Sequence, residues 1–285
     1  MIGYKFFCER NVTWRENQGG LFPLSPPFVL SDFKGFLARR IISENDCFFL
    51  RWESDFDQII DGEWWHIIKD SYDELDSLPK KTRYMVRKAA KSYEVKPLTL
   101  HEVIENAYPV YESAYRRYNT HEPMLTYKVF CNAIAKLPKN TEFWGVFEKE
   151  SQRLVGFSEN YIEKKTCFYL TMWLEPESMS NFSGYLLFHE MELHYLRDCE
   201  FKYVSDGARS ISHDTNIHGF LLSKFNFRRA YAKLHVVYVP WLKVAVSVSY
   251  PFRKLVSKVP FSPFRKASIL LKQEEIRRAS NKVSS

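Results

Sequence analysis

The run Cys167-Phe168-Tyr169-Leu170-Thr171-Met172-Trp173-Leu174-Glu175-Pro176-Glu177-Ser178-Met179-Ser180-Asn181-Phe182-Ser183-Gly184-Tyr185-Leu186-Leu187-Phe188-His189-Glu190 decides how this chain folds. Its first eight residues are rich in aromatic and apolar side chains and predict a strand, Cys167 to Leu174. A polar loop closes on Asn181-Phe182-Ser183-Gly184, and a helix is predicted from about Tyr185 to Arg197. A second strand ends in Val204-Ser205-Asp206-Gly207. A short helix, Gly219 to Asn226, and a long strand, Arg228 to Val239, complete the series. Unpaired N–H groups at a helix N-terminus attract phosphate or another anion. Two strands on either side of such a helix would form a cleft beside it.

Working outward, Phe6–Glu9, Ile41–Ser43, Cys47–Trp52 and Trp64–Ile68 read as short strands. Ser77–Tyr93 reads as a helix, broken before Glu94-Val95-Lys96-Pro97. Thr99 is placed to cap the next helix, His101–Tyr118, and another spans Thr126–Lys136. Glu142–Glu148, Arg153–Glu163 and Cys167–Leu174 read as an antiparallel meander, with turns at Lys149–Gln152 and Lys164-Lys165. Helices interleaved with a mostly antiparallel sheet predict an α+β fold. There is no internal repeat.

Composition narrows the class. A chain of 285 residues can bury a sizeable core, and 23 Phe, 17 Tyr and 7 Trp supply it generously. The five cysteines (Cys8, Cys47, Cys131, Cys167, Cys199) are widely spaced, which argues against a disulfide framework or a cysteine-based zinc site. Met1 to Arg10 is too short and charged for a signal-peptide apolar region, and no apolar run reaches the length of a membrane span. The expectation is a cytoplasmic protein with reduced thiols. The net charge of +7 is unevenly held: from Pro240 onward there are 10 Lys/Arg and 2 Asp/Glu, whereas the first 239 residues carry 31 and 32. The basic character belongs to the tail.

Three tempting motifs fall away. His189 and His194 are five residues apart, about 140° around a helix, whereas a zinc-binding His pair sits four apart on one face. Ser205, Asp206 and His213 lie close in sequence, but no G-x-S-x-G surrounds a serine, so a hydrolase triad is not indicated. Gly19-Gly20 has no phosphate-loop context and reads as a turn. No metal is expected.

The stretches Tyr185-Leu186-Leu187-Phe188-His189-Glu190, Val204-Ser205-Asp206-Gly207 and Gly219-Phe220-Leu221-Leu222-Ser223-Lys224-Phe225 together resemble the C-terminal half of the GNAT superfamily of N-acyltransferases, in particular the Fem-type peptidyltransferases. A weaker echo is the basic helix pattern from Leu78 to Ala89. The resemblance covers about two-thirds of the chain and is one of order and texture. It implies a GNAT-like α+β fold with two lobes, residues 1–139 and 140–239, followed by a basic extension, 240–285. It also implies transfer of an acyl or aminoacyl group, from CoA or aminoacyl-tRNA, to an amine of a small or envelope-precursor acceptor.

The resemblance places the donor phosphate at Ser183-Gly184-Tyr185, with Asn181 beside it. The carbonyl oxygen would meet a backbone N–H of Phe168–Trp173, with Tyr169 and Trp173 shaping the cleft. Asp206 or Glu159 would take the proton of the amine. Each has a plainer alternative: a capped loop at Asn181 or Ser183, a solvent-facing Glu159, and turn chemistry for Asp206-Gly207. The usual acetyl-CoA loop of spaced glycines is replaced by Glu175-Pro176-Glu177-Ser178-Met179-Ser180-Asn181, whose carboxylates would repel a pyrophosphate. That departure favours an aminoacyl-tRNA or other carrier over acyl-CoA, or a site without activity.

Arg83, Arg87 and Lys91 recur at i, i+4, i+8 and make one basic stripe, for phosphates of a carrier or simply for water. An RNA-binding role without chemistry is disfavoured by the near-neutral body. In the tail, Trp241, Ala245, Val248, Phe252, Val256 and Val259 share helical spacing, with Lys243, Arg253, Lys254 and Lys258 on other faces. Such a segment suits an anionic membrane surface; its alternatives are a helix packed on the body, or a strand through Val244, Val246, Val248 and Tyr250. A GNAT-like module without catalysis, attached through this tail, is the second functional expectation.

Overall fold

The computed structural model describes residues 4–30, 33, 35–59, 61–117, 123–211, 216–256 and 262–282. In chain order the first strands are β1 (Lys5–Glu9), β2 (Val12–Asn17), β3 (Gly20–Pro23), β4 (Phe49–Ile59), β5 (Trp65–Lys69) and β6 (Tyr93–Leu98). They are followed by β7 (Thr141–Glu148), β8 (Leu154–Glu163), β9 (Thr166–Leu174), β10 (Tyr203–Ala208) and β11 (Arg228–Tyr238). The helices are α1 (Phe36–Glu44), α2 (Lys80–Ser92), α3 (Leu100–Tyr115), α4 (Tyr127–Ala135) and α5 (Pro176–Ser180). Later come α6 (Ser183–Glu192), α7 (Asn216–Lys224), α8 (Pro240–Ser249), α9 (Arg253–Val256) and α10 (Ser262–Lys282).

Two compact units divide the chain. The first holds residues 67–207 and 217–228 together with the N-terminal four; the second holds 5–66, 208–216 and 229–285. Asn140, the expected lobe boundary, falls inside the first unit.

In the first unit the strands run in the order β5-β10-β9-β8-β7-β6. β6 to β9 form the antiparallel meander, and β10 joins β9 in parallel. β8 is buried along almost its whole length because helices cover both of its faces. On one face α3 and α4 bring Val103, Ala107, Val110, Tyr111, Phe130 and Ile134 against Phe143, Leu154 and Phe157. α3 starts at a capping box: Thr99 Oγ1 accepts from the Glu102 N–H, and the Glu102 carboxylate accepts from the Thr99 N–H. Such a cap contributes about 1 kcal/mol. On the other face α6 lays Leu187, Phe188 and Met191 toward the sheet, and α2 packs on α6.

In the second unit the order is β1-β2-β3-β4-β11, with β3 and β4 parallel and the other pairs antiparallel. Trp14, Phe33, Ala38, Ile41, Ile42 and Trp52 form its core. Gly19 (φ 76°) makes the turn between β2 and β3 that Gly19-Gly20 predicts. Ile41–Ser43 is corrected from strand to helix. Ala38, Ile41 and Ile42 are spaced three and four apart and all point into the core, a helical pattern that outweighs two β-branched residues.

Candidate active site

β9 and β10 pair only over Thr166↔Tyr203, Cys167↔Val204 and Phe168↔Ser205. β9 then continues to Leu174 while β10 turns away, so the two strands part just where Tyr169 and Asp206 stand. Gly207 drives the turn: its φ of 84° is open to glycine and strained for other residues, and a Cβ there would meet the Phe168 ring at 2.7 Å. Gly207→Ala is expected to cost about 1–3 kcal/mol, read as a lowered melting temperature. A melt unchanged by the substitution would contradict this account of the turn.

The Asp206 carboxylate lies 3.2 Å from His218 Nε2 on α7, and both are largely buried. Burial pushes the Asp206 carboxyl up; the hydrogen bond and charge of His218 pull it back. The neighbouring Ser205 hydroxyl donates to the Ile67 carbonyl at 2.9 Å and accepts from the Gly207 N–H at 2.9 Å. Ser205 is therefore spent on holding the strand end. His213 lies outside the described residues.

Glu159 is not solvent-facing: it is 0 % exposed, at the centre of β8. It faces Thr171 across β9, on the side that Phe157 presents to α3 and α4. Burial raises its carboxyl. Asp206, reached through α7, belongs with the opposite face, since Phe220 of α7 packs on Phe188 of α6 at 5.7 Å. The two candidate bases are not brought together.

A β-bulge divides the other pair. Glu159 faces Thr171 but Asn160 faces Tyr169, leaving Leu170 as the extra residue of β9. Tyr169 thus lies on the α6 face, 5.7 Å from the Phe188 ring, while Trp173 turns to α3, 4.9 Å from the Tyr111 ring. In an unbroken strand residues four apart share a face; the bulge removes Trp173 from the cleft that Tyr169 lines. The Tyr169 hydroxyl is buried with no hydrogen-bond partner among the described residues. Burial pushes this phenol well up, and the Glu192 and Asp206 carboxylates add to that.

At the start of α6, Phe182 is the N-cap in a left-handed conformation (φ 68°), and no side chain caps the helix. Ser183 is fully buried and donates to Ser178 Oγ at 3.0 Å, so its hydroxyl ties α6 to α5 and does not point to a ligand. Gly184 sits against Leu174, where an added Cβ would stand 3.1 Å from Cδ1. Tyr185 is half-buried against Phe220 at 4.9 Å, and Asn181 closes α5. Glu175 is held by Arg153 at 2.6 Å, which relieves much of the repulsion that its carboxylate threatened.

The basic stripe divides as well. Arg83 donates to the Asp76 carbonyl at 2.6 Å and Arg87 pairs with the Asp76 carboxylate. Lys91 is exposed at the last turn of α2. The cation at the start of α6 is instead Lys88, 5.2 Å from the centre of the Phe182 ring. Arg83, Arg87 and Lys91 mark the stripe that spacing reveals; only packing of α2 on α6 brings Lys88 to the helix end.

Sequence reasoning missed a buried ion pair. Lys69 of β5 donates to Glu192 of α6 at 2.7 Å, both side chains 2 % exposed, and Asp73 stands 3.2 Å from the same ammonium. Burial pushes the Glu192 carboxyl up to about 7, against the pull of Lys69. Its second oxygen has no partner among the described residues. The signal available was a lysine in phase with Ile67 inside the apolar run Trp64–Ile68.

A carboxyl raised by folding stabilises the protein below its unfolded value and loses that contribution as pH climbs through its folded value. Relative to Glu192→Gln, the native protein is therefore expected to lose stability between pH 4.5 and about 7. The difference should be on the order of 3 kcal/mol, about 2.5 pH units at about 1.36 kcal/mol each. Parallel denaturation of both proteins across that window checks it; equal slopes would refute it.

No protein-family model matches the chain, and no curated protein matches it. Among solved structures, FemX superposes with a TM-score of 0.56 at 10% identity, covering 86% of this chain and 90% of that one. L-PGS from Bacillus licheniformis superposes with a TM-score of 0.51 at 11% identity, covering 96% and 90%. A tandem GNAT protein from the clavulanic acid biosynthesis pathway gives 0.47 at 12% identity, covering 80% and 78%. The α+β fold is thus one that this chain shares with FemX and L-PGS, in line with the fold that the resemblance implied. Among the described residues no group of three or more His, Cys, Asp or Glu could hold a metal, and no helix is long and apolar enough to cross a membrane.

Proposed function

We propose that this protein transfers an acyl or aminoacyl group from a carrier, CoA or aminoacyl-tRNA, to an amine of a small or envelope-precursor acceptor. The observation that carries the reading is the parting of β9 and β10 at Phe168 and Ser205, beside an uncapped helix start. β9 beyond Phe168 offers backbone N–H groups to the carbonyl oxygen, where negative charge grows in the transition state. The start of α6, with Lys88, takes the carrier's phosphate. Asp206, oriented by His218, accepts the ammonium proton and frees the nitrogen lone pair. A C–N bond then forms as the thioester or ester bond to the carrier breaks, and the released thiolate or ribose oxygen regains a proton.

The fold that this chain shares with FemX and L-PGS supports the class of reaction. The pairing of Glu175 with Arg153 keeps acyl-CoA among the donors. Calorimetric and thermal-shift titration with acetyl-CoA, longer acyl-CoAs and a charged tRNA is the test. Acyl-CoA binding that Gly184→Val abolishes would establish CoA; binding of charged tRNA alone would establish the aminoacyl version. Binding of neither would overturn transfer in favour of a GNAT-like module without catalysis.

A further inference from the structure

The tail exposes an apolar stripe. On α8, Leu242 and Val246 are buried, whereas Trp241, Val244 and Val248 are 62%, 63% and 66% exposed. These three are spaced three and four apart and so occupy one face of α8, turned away from Leu242 and Val246. The stripe continues through the 3-10 turn Tyr250–Phe252 and α9, with Phe252 at 57% and Leu255 at 64%. Phe48 lies at its near end, 5.9 Å from the Trp241 ring and itself half-exposed. Five large apolar side chains in a row on a surface helix are rarely left to water.

The expected stripe of Trp241, Ala245, Val248, Phe252, Val256 and Val259 is corrected in part. Val244 and Leu255 belong to the exposed row, Val256 is half-buried against the second unit's core, and Val259 lies outside the described residues, as does Lys258. The strand alternative falls, since α8 is helical throughout. α10 is packed, through Leu271 and Ile276.

Charge says what covers the stripe. Arg253, Lys254, Arg265 and Lys272 line a groove of about 380 Å³ in the same unit, together with one carboxylate, Glu275. That carboxylate is already held by Arg253 at 3.1 Å and Lys272 at 2.8 Å. Lys254 is exposed on α9, one position before Leu255, and lines the groove, so the same short helix carries residues of both. A second protein surface would need to be both apolar and acidic over the same few residues. A bilayer of anionic lipid offers acyl chains and phosphates side by side, and Trp241 suits the boundary between them.

We propose that this face docks on an anionic phospholipid bilayer: Trp241, Val244, Val248, Phe252 and Leu255 enter the acyl boundary, and the groove beside them takes a headgroup phosphate. This goes beyond acyl transfer and does not depend on it. The test is co-sedimentation of the full chain with vesicles of phosphatidylcholine alone, or containing about one-third phosphatidylglycerol. Binding is expected to the anionic vesicles and to weaken with salt. Val244→Asp/Val248→Asp and Lys254→Glu/Arg265→Glu are each expected to lower the partition coefficient by at least about tenfold, with unchanged melting temperatures. Equal binding to neutral vesicles, no binding, or binding indifferent to either variant would overturn the proposal. So would a native dimer that Val244→Asp/Val248→Asp converts to monomer, since the stripe would then be a contact between copies.

Discussion

Lys69→Met is expected to destabilise the protein by about 3–5 kcal/mol at alkaline pH, where Glu192 is ionised and is left alone from a buried ion pair. The loss is less at neutral pH, where the carboxyl, pushed up to about 7, takes up a proton once the ammonium is gone. At this size the alkaline loss lowers the melting temperature by roughly 10 °C. The reason is local: Glu192 is 2 % exposed, its carboxylate has Lys69 at 2.7 Å, and no other cation is within ion-pair distance among the described residues. Asp73, 3.2 Å from the same ammonium, is left without it too. The double variant Lys69→Met/Glu192→Leu should recover most of the loss, because no charge then remains to be solvated. A single variant that melts like the native protein at alkaline pH would show that the pair is not buried in solution.

Asp206→Asn is expected to lower kcat of the proposed transfer by about 10²- to 10⁴-fold with little change in KM, since the amide holds its place but accepts no proton. Burial raises the Asp206 carboxyl, so the acid limb of kcat/KM should lie above the ordinary aspartate range. His218 works against that rise. His218→Phe should therefore move the limb to higher pH while leaving activity on the alkaline plateau. The direction of the shift separates a role in tuning the carboxylate from a merely structural one. Full kcat in Asp206→Asn would remove Asp206 from the reaction.

Much of the frame was legible in the sequence. The meander, the Thr99 cap and the position of Asp206 follow from period, capping and turn residues, which act over a few positions. The stretch read as a loop between β9 and α6 instead holds the short helix α5. Ile41–Ser43 misled because a short apolar run has both periods in it, and only the place of Ala38 relative to the core chose the helix. Ser183 was legible as a helix start but not as a buried hydroxyl bonded to Ser178, since that needs the packing of α5.

The residues of the candidate site divide along the same line. Spacing alone determined that a strand, a helix start and an acidic strand end recur in order, because each is a local choice of backbone. Only the tertiary structure decided which side chains meet. One extra residue, Leu170, separates Tyr169 from Trp173, while strand alternation alone puts Glu159 on the face opposite Asn160 and Tyr169. The pairing of Lys69 with Glu192 joins residues 123 positions apart. Lys88 rather than Arg83 or Arg87 reaches α6 for a similar reason. Faces and ion pairs are set by how strands and helices stack over long separations, and burial then alters the charge chemistry of whatever it encloses.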